Sequence, residues 1–144
     1  MNKTPLMSIA LCTYNGQRYL KEQLNSVINQ TYKNIEIVIV DDCSSDLTHD
    51  IIRDYAETHA SVKVYVNPER LGYNKNFEKA LKLCTGEFIA ICDQDDIWRH
   101  DKLEIQQCAM KHHMLVYCDS HFIDGTGKSM NYKMSDKFNF YKGS

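Results

Sequence analysis

The stretch Gly86-Glu87-Phe88-Ile89-Ala90-Ile91-Cys92-Asp93-Gln94-Asp95-Asp96-Ile97-Trp98 decides the fold. Phe88 to Cys92 is a continuous apolar run, as expected of a strand covered on both faces. It leads directly into three carboxylates packed into four positions. Like charges that close raise one another's pKa. They are grouped either because a cation is held there or because water solvates a plain acidic loop. A divalent metal shared with a phosphate-bearing ligand is the economical form of the first arrangement, since hard cations take oxygen ligands.

Outward from this stretch the chain alternates strands and helices. Met7 to Cys12 is predicted as a first strand, followed by a turn at Thr13-Tyr14-Asn15-Gly16, where Asn and Gly tolerate unusual backbone angles. Leu20, Leu24, Val27 and Ile28 recur at helical spacing between Gln17 and Gln30. Ile35 to Val40 is a second, nearly all β-branched strand. It ends in Asp41-Asp42-Cys43-Ser44-Ser45-Asp46, a polar cluster suited to capping a helix over Leu47 to His59. Val62 to Val66 is a third strand, stopped by Asn67-Pro68, and Asn74 to Cys84 is a third helix. Gly86 stands where a helix C-terminal cap wants positive φ. Asp101-Lys102-Leu103-Glu104 has capping-box spacing for a helix reaching about His112, and Leu115 to Cys118 is predicted as a fifth strand. Asp124-Gly125-Thr126-Gly127 is a turn.

This alternation predicts βαβ units, a mostly parallel Rossmann-like sheet with helices on both faces, and ligand binding outside the carboxyl ends of the strands. The polar clusters after strands one, two and four fall at that edge. With 144 residues, a single domain is expected. Residues 1–128 would form it and residues 129–144 a C-terminal tail, the start of an acceptor-side region truncated here.

Composition narrows the function. Hydrophobic residues are 43% and charged residues 25%, ordinary for a globular chain. The net charge of −2 offers no basic face for nucleic acid. The six cysteines show no C-x-x-C pair, and the six histidines no ligand spacing, so zinc and thioredoxin-like sites are unsupported. Met1 to Pro5 is polar, the next apolar run is too short for a signal peptide, and no run approaches a membrane span. A cytoplasmic location is expected, free or peripheral at the inner face of the membrane.

Phosphate chemistry has few other routes. No G-x-G-x-x-G follows the first strand and no P-loop lysine is present, so a phosphate would be held mainly through a cation at Asp93-Gln94-Asp95-Asp96. Asp42 can accept from a base N–H or a ribose hydroxyl, or cap the next helix. Tyr14 is either a stacking surface for a base or a core aromatic. Trp98 is read as packing for the acidic loop or as a border of the sugar site.

At Leu11-Cys12-Thr13-Tyr14-Asn15, Ile39 to Asp46, Leu71 to Phe77, Gly86 to Ile89 and Cys92 to Trp98 the chain resembles the inverting family-2 glycosyltransferases of GT-A fold, especially bacterial polysaccharide enzymes often called rhamnosyltransferases. The resemblance covers about residues 5–128. It implies transfer of a sugar from a UDP- or dTDP-linked donor to a saccharide or lipid-linked acceptor, with Mg²⁺ or Mn²⁺ as cofactor. Tyr14 would flank the base and Asp42 accept from it. Asp93 and Asp95 would form the D-x-D motif, Asp95 near ribose and diphosphate, and Asp96 with Asp95 would hold the metal. His100 stands where the family usually has proline. The family's catalytic base lies on a later segment, beyond Ser144, and leaves a donor-binding half here. Asp119 and Asp124 are the late carboxylates near a strand end, and turn chemistry explains them better than a role as base. Alternatives are a nucleotide-binding regulatory domain on the same fold, or a nucleotidyltransferase for which Arg18 is slender support. Tyr132, Phe138, Phe140 and Tyr141 either pack on the sheet edge or stay exposed, in which case self-association is expected.

Overall fold

The computed structural model describes residues 4–110 and 113–140. The chain divides into two compact units, split between Glu104 and Ile105. In the first, β1 (Met7–Thr13), β2 (Ile35–Asp41), β3 (Val62–Val66) and β4 (Phe88–Cys92) form a parallel sheet in the order β3-β2-β1-β4. Pairing runs from Met7–Ile35 to Thr13–Asp41 between β1 and β2, and from Met7–Phe88 to Leu11–Cys92 between β1 and β4. Successive strands step outward from β1 to β3, and the chain then returns to the other side of β1. The carboxyl ends of β1 and β4 therefore flank the crevice where strand order reverses.

Alternation along each strand serves two layers. Ile9, Leu11, Ile37 and Ile39 face one side, packed with Leu20, Leu24 and Val27 of α1 (Leu20–Ile28), with Ile51 and Ile52 of α2 (Thr48–Thr58), and with Leu103. Ala10, Cys12, Val38 and Val40 face the other, against Phe77 and Ala80 of α3 (Tyr73–Leu83). Helices on both faces were expected, and each fully buried Leu or Ile contributes about 1.5–3 kcal/mol. The helix α4 (Lys102–Ala109) begins where predicted, while the predicted end at His112 lies outside the described residues.

Three local readings are corrected. Gly86 is absent from the positive-φ glycines, Gly72 and Gly127. Its requirement is space: a Cβ there would lie 2.7 Å from Leu6 O and 2.7 Å from Ser8 N. Gly86→Ala is expected to cost about 1–3 kcal/mol in a denaturant melt, because backbone on both sides must shift; an unchanged midpoint would refute the close approach. The capping box at Asp101 is also replaced. Its carboxylate takes the Arg99 guanidinium, Glu104 takes the Thr31 hydroxyl, and Gln30 Oε1 receives the Leu103 N–H at 3.1 Å.

The third correction concerns the second unit. Leu115 to Cys118 forms no strand, and Leu115 is 80% exposed. A short apolar run becomes a strand only with a ladder partner, and this one has none among the described residues. The strands are instead β5 (His121–Ile123) and β6 (Ser129–Lys133), an antiparallel hairpin over the predicted turn, followed by a 3-10 turn at Met134–Asp136. Regular structure thus enters the stretch read as a C-terminal tail. Tyr132 meets Phe122 across the hairpin at 4.6 Å between ring centroids, Phe140 meets Tyr117, and Phe138 is 58% exposed. Tyr141 lies outside the described residues.

Candidate donor-binding site

The site is built where β1, β2 and β4 end. The loop after β1 is locked to the loop after β2 by a relay of hydrogen bonds. Asn15 takes φ of +48°, and its N–H donates to Ser44 Oγ at 2.9 Å while its Oδ1 accepts from Ser45 N. Gly16 N donates to Thr48 Oγ1, and Asp46 accepts from Gln17 N and Thr48 N, so Asp46 does cap the start of α2. The loop after β4 is tied in by Gln94. Its Oε1 accepts from Tyr14 N at 2.8 Å and its Nε2 donates to Tyr14 O at 3.1 Å, extending the β1–β4 ladder through a side chain. A Cβ at Gly16 would lie 2.4 Å from Gln94 Oε1, so a side chain there would displace the Gln94 amide from Tyr14.

Asp41 and Asp42 are both buried, and they do different things. Asp41 accepts from Thr13 Oγ1 at 2.7 Å, Ser44 N at 2.8 Å and Ser44 Oγ at 2.5 Å, and His49 Nε2 lies 2.5 Å from its Oδ2. It is the hub that holds the two loops together. Asp42 reaches the other way. Its Oδ1 accepts from Asn67 Nδ2 at 2.9 Å and Leu71 N at 2.7 Å, and its Oδ2 from Gly72 N at 2.8 Å. Burial alone would raise its pKa, but these donors and the nearby Arg70 charge outweigh it and hold the carboxyl below its ordinary value. Among the described residues Oδ2 takes only the Gly72 N–H, which leaves acceptor capacity for one more donor. Asp42 is not the α2 cap.

Tyr14 is half-buried at the same corner, with the Arg70 guanidinium 3.9 Å from its ring centroid. It is not a core aromatic. Trp98 is: it is 5% exposed and packed in the first core layer, with the Lys102 ammonium 3.7 Å from its ring centroid.

The acidic loop carries charge that is only partly compensated. Asp93 is pushed up by loss of water and then by Asp95, against a weak 3.4 Å contact from the Tyr73 hydroxyl. Asp96 is pushed up by loss of water and by Asp93, with Lys102 pulling the other way. Asp95 and Asp96 are exposed. Among the described residues no three carboxylate, imidazole or thiol groups converge into a ready-made cation cage. Two exposed carboxylates on a loop whose repulsion is only partly relieved do fit a cation that completes its shell with substrate phosphate and water.

The two late carboxylates are turn residues. Asp119 accepts from Ser135 Oγ, Ser135 N and Ser120 N, and Asp124 from Thr126 N, Thr126 Oγ1 and Lys128 N. Both are held below the ordinary carboxylate range, Asp119 chiefly by the Ser135 hydroxyl and Asp124 by that of Thr126. A carboxylate so stabilised is a poor proton acceptor. His49 and Arg70 were not foreseen as parts of the site, and Asp41 and Gln94 were foreseen only as members of their polar clusters, without roles of their own. For Asp41 the available signal was its place at a strand end beside Asp42.

The chain and its fold have counterparts. The chain is 37% identical over 105 residues to a Bacillus subtilis glycosyltransferase named for teichuronic acid biosynthesis, covering 73% of this chain and 42% of that protein. Among solved structures, Staphylococcus aureus TarS in complex with UDP matches with a TM-score of 0.68 at 33% identity, over 74% of this chain and 32% of that one. The mannosyltransferase PcManGT of Pyrobaculum calidifontis, in complex with GDP-Man and Mn²⁺, matches with a TM-score of 0.69 at 29% identity, over 76% and 33%. The chain thus spans less than half the length of each of these proteins. No helix among the described residues is long and apolar enough to cross a membrane. The model of glycosyl transferase family 2 matches residues 8–143, almost the whole length of the chain, and with the GT-A sheet and its acidic strand ends it establishes that this chain belongs to that family.

Proposed function

We propose that the chain supplies the donor-binding part of an inverting, metal-dependent glycosyltransferase, moving a sugar from a UDP- or dTDP-linked donor onto a cell-surface polysaccharide or lipid-linked acceptor at the cytoplasmic face of the membrane. The observation that carries this reading is the meeting of Tyr14, Asp42 and the Asp93–Asp96 loop at the carboxyl ends of β1, β2 and β4, around the sheet's switch point. Tyr14 offers a face to the base and Asp42 an edge acceptor. Asp93 and Asp95 line the ribose and diphosphate, and Asp95 with Asp96 would hold Mg²⁺ or Mn²⁺. The bound cation would neutralise the departing diphosphate. The UDP complex of TarS and the GDP-Man and Mn²⁺ complex of PcManGT support a nucleotide and a metal in this role. We infer that the general base lies in the portion of such enzymes that this chain does not span.

Calorimetry tests the reading. UDP or dTDP is expected to bind with Mn²⁺ present and at least roughly tenfold more weakly under chelator, as removing a charge-neutralising cation demands. Asp96→Ala should bring wild-type affinity with Mn²⁺ down to the chelated value and make chelator irrelevant. Absence of binding under both conditions would discard the donor-site reading.

A further inference from the structure

Gln23 and Ser26 of α1 and Gln30 just beyond it recur at helical spacing, on one side of the helix. Both glutamines are fully buried and Ser26 is half-buried. Packing alone would favour apolar side chains there, so their polar atoms need partners. Those partners all lie on the chain that carries the acidic loop or within the stripe itself. Gln23 Nε2 donates to Sγ of Cys92, the last residue of β4. Ser26 Oγ donates to Gln23 O at 2.7 Å and accepts from Trp98 N at 3.0 Å. Gln30 Nε2 donates to Ser26 O at 3.0 Å and Arg99 O at 2.8 Å, while its Oε1 accepts from Leu103 N at 3.1 Å. From the β1 side, Gln94 is tied to the Tyr14 backbone. Asp95, Asp96 and Ile97 remain as a short exposed arch between pinned feet.

We propose that Gln23, Ser26 and Gln30 are positioning residues that mould the acidic loop, holding Asp95 and Asp96 ready for a divalent cation. This rests on the donor-site reading above and adds what fixes its metal-holding carboxylates. Mg²⁺ in particular demands near-ideal coordination geometry, so carboxylates on a wandering loop would lose affinity to ordering. An arch this short, with both feet held, has little conformational freedom left to surrender. The buried Trp98 ring anchors the far foot in the core. Ser26 and Gln30 add what the ring cannot: they fix the backbone of Trp98, Arg99 and Leu103, and so the direction in which the arch leaves the core. Gln23 does the same for the near foot at the end of β4. A buried polar stripe whose bonds are made specifies one arrangement where apolar packing would accept several.

Ser26→Ala and Gln30→Met remove the grip with little change in bulk. Calorimetry of UDP with Mn²⁺ and under chelator, and ligand-observed NMR of uridine, are compared for wild type and both variants. The affinity that UDP gains from Mn²⁺ is expected to shrink about three- to fivefold in each variant, less than the loss typical of a direct partner of a metal ligand. Uridine, which has no phosphate for a cation to bridge, should bind as it does to wild type. Amide exchange on the wild-type protein gives a measurement that needs no variant: the Trp98 and Leu103 N–H groups should exchange slowly, because side chains of the stripe hold them. An unchanged Mn²⁺ gain in both variants overturns the mould and leaves the stripe a part of the core alone. Uridine binding that falls together with the gain overturns it as well, as a general loosening of the fold. So does rapid exchange at both amides. If UDP binding to wild type does not respond to Mn²⁺, the metal part of the donor-site reading fails and takes the mould with it.

Discussion

Asp42→Asn is expected to destabilise the protein by about 2–4 kcal/mol and to weaken UDP binding by roughly tenfold or more, since charged hydrogen bonds are lost and buried donors are left facing a donor. The substitution keeps the shape of the side chain, so a cavity is not the cause. Oδ1 receives two N–H groups and Oδ2 one, and an amide must place its NH₂ at one of those positions. In either orientation at least one N–H of Asn67, Leu71 or Gly72 points at a donor. The consequence spreads along the loop, because Asn67 also donates to Asn76 Oδ1, and Asn76 in turn donates to Val40 O at 2.9 Å. Arg70 would lose its fixed footing beside Tyr14. Chemical denaturation gives the stability term and calorimetry with UDP and Mn²⁺ the binding term. A variant that unfolds at the wild-type midpoint would show that the carboxylate does not hold this loop.

The two outcomes expected of Asp42 also mark the boundary of what could be read from residues alone. The strands β1 to β4 and helices α1 to α3 were legible because each carries its own periodicity, but β4, read as a buried strand, leaves Ile89 and Ile91 46% and 59% exposed on one face. The strand ends were legible as a site because parallel topology sends them to one edge. What stayed hidden depends on distance in sequence. Gln94 serves Tyr14 across 80 positions, and Leu71 N reaches Asp42 across 29. His49 belongs to no ligand pattern, and its partner Asp41 looks interchangeable with Asp42 until burial separates their directions. Asp101 and Glu104 illustrate the converse. Their spacing suits a capping box, but Arg99 and Thr31 offered nearer partners, and tertiary contacts decided. Leu115 to Cys118 had strand composition without a neighbour to pair with among the described residues.

Far from the site, the amino end of the sheet carries a carboxylate that should govern acid stability. Glu36 is 4% exposed and accepts from Ser8 Oγ at 2.5 Å, Lys63 Nζ at 2.6 Å, Thr85 N at 2.6 Å and Thr85 Oγ1 at 2.8 Å. Burial by itself would raise its pKa; the Lys63 ammonium and the hydroxyl and amide donors overcome that and lower it from 4.5 to about 2. The folded protein therefore binds this proton more weakly than the unfolded chain does. The resulting stabilisation is fully present above pH 4.5 and is lost as pH falls from there towards 2. A depression of that size corresponds to about 3 kcal/mol. Glu36→Gln should lower stability near neutral pH by about 2–3 kcal/mol, since the ammonium loses its partner and one amide hydrogen faces a donor. Between pH 4.5 and 2 its unfolding free energy should fall less steeply than that of wild type, and the two curves should converge at the acid end. Denaturant melts across that range measure both. Parallel curves with a constant offset would mean that Glu36 contributes packing and not its charge.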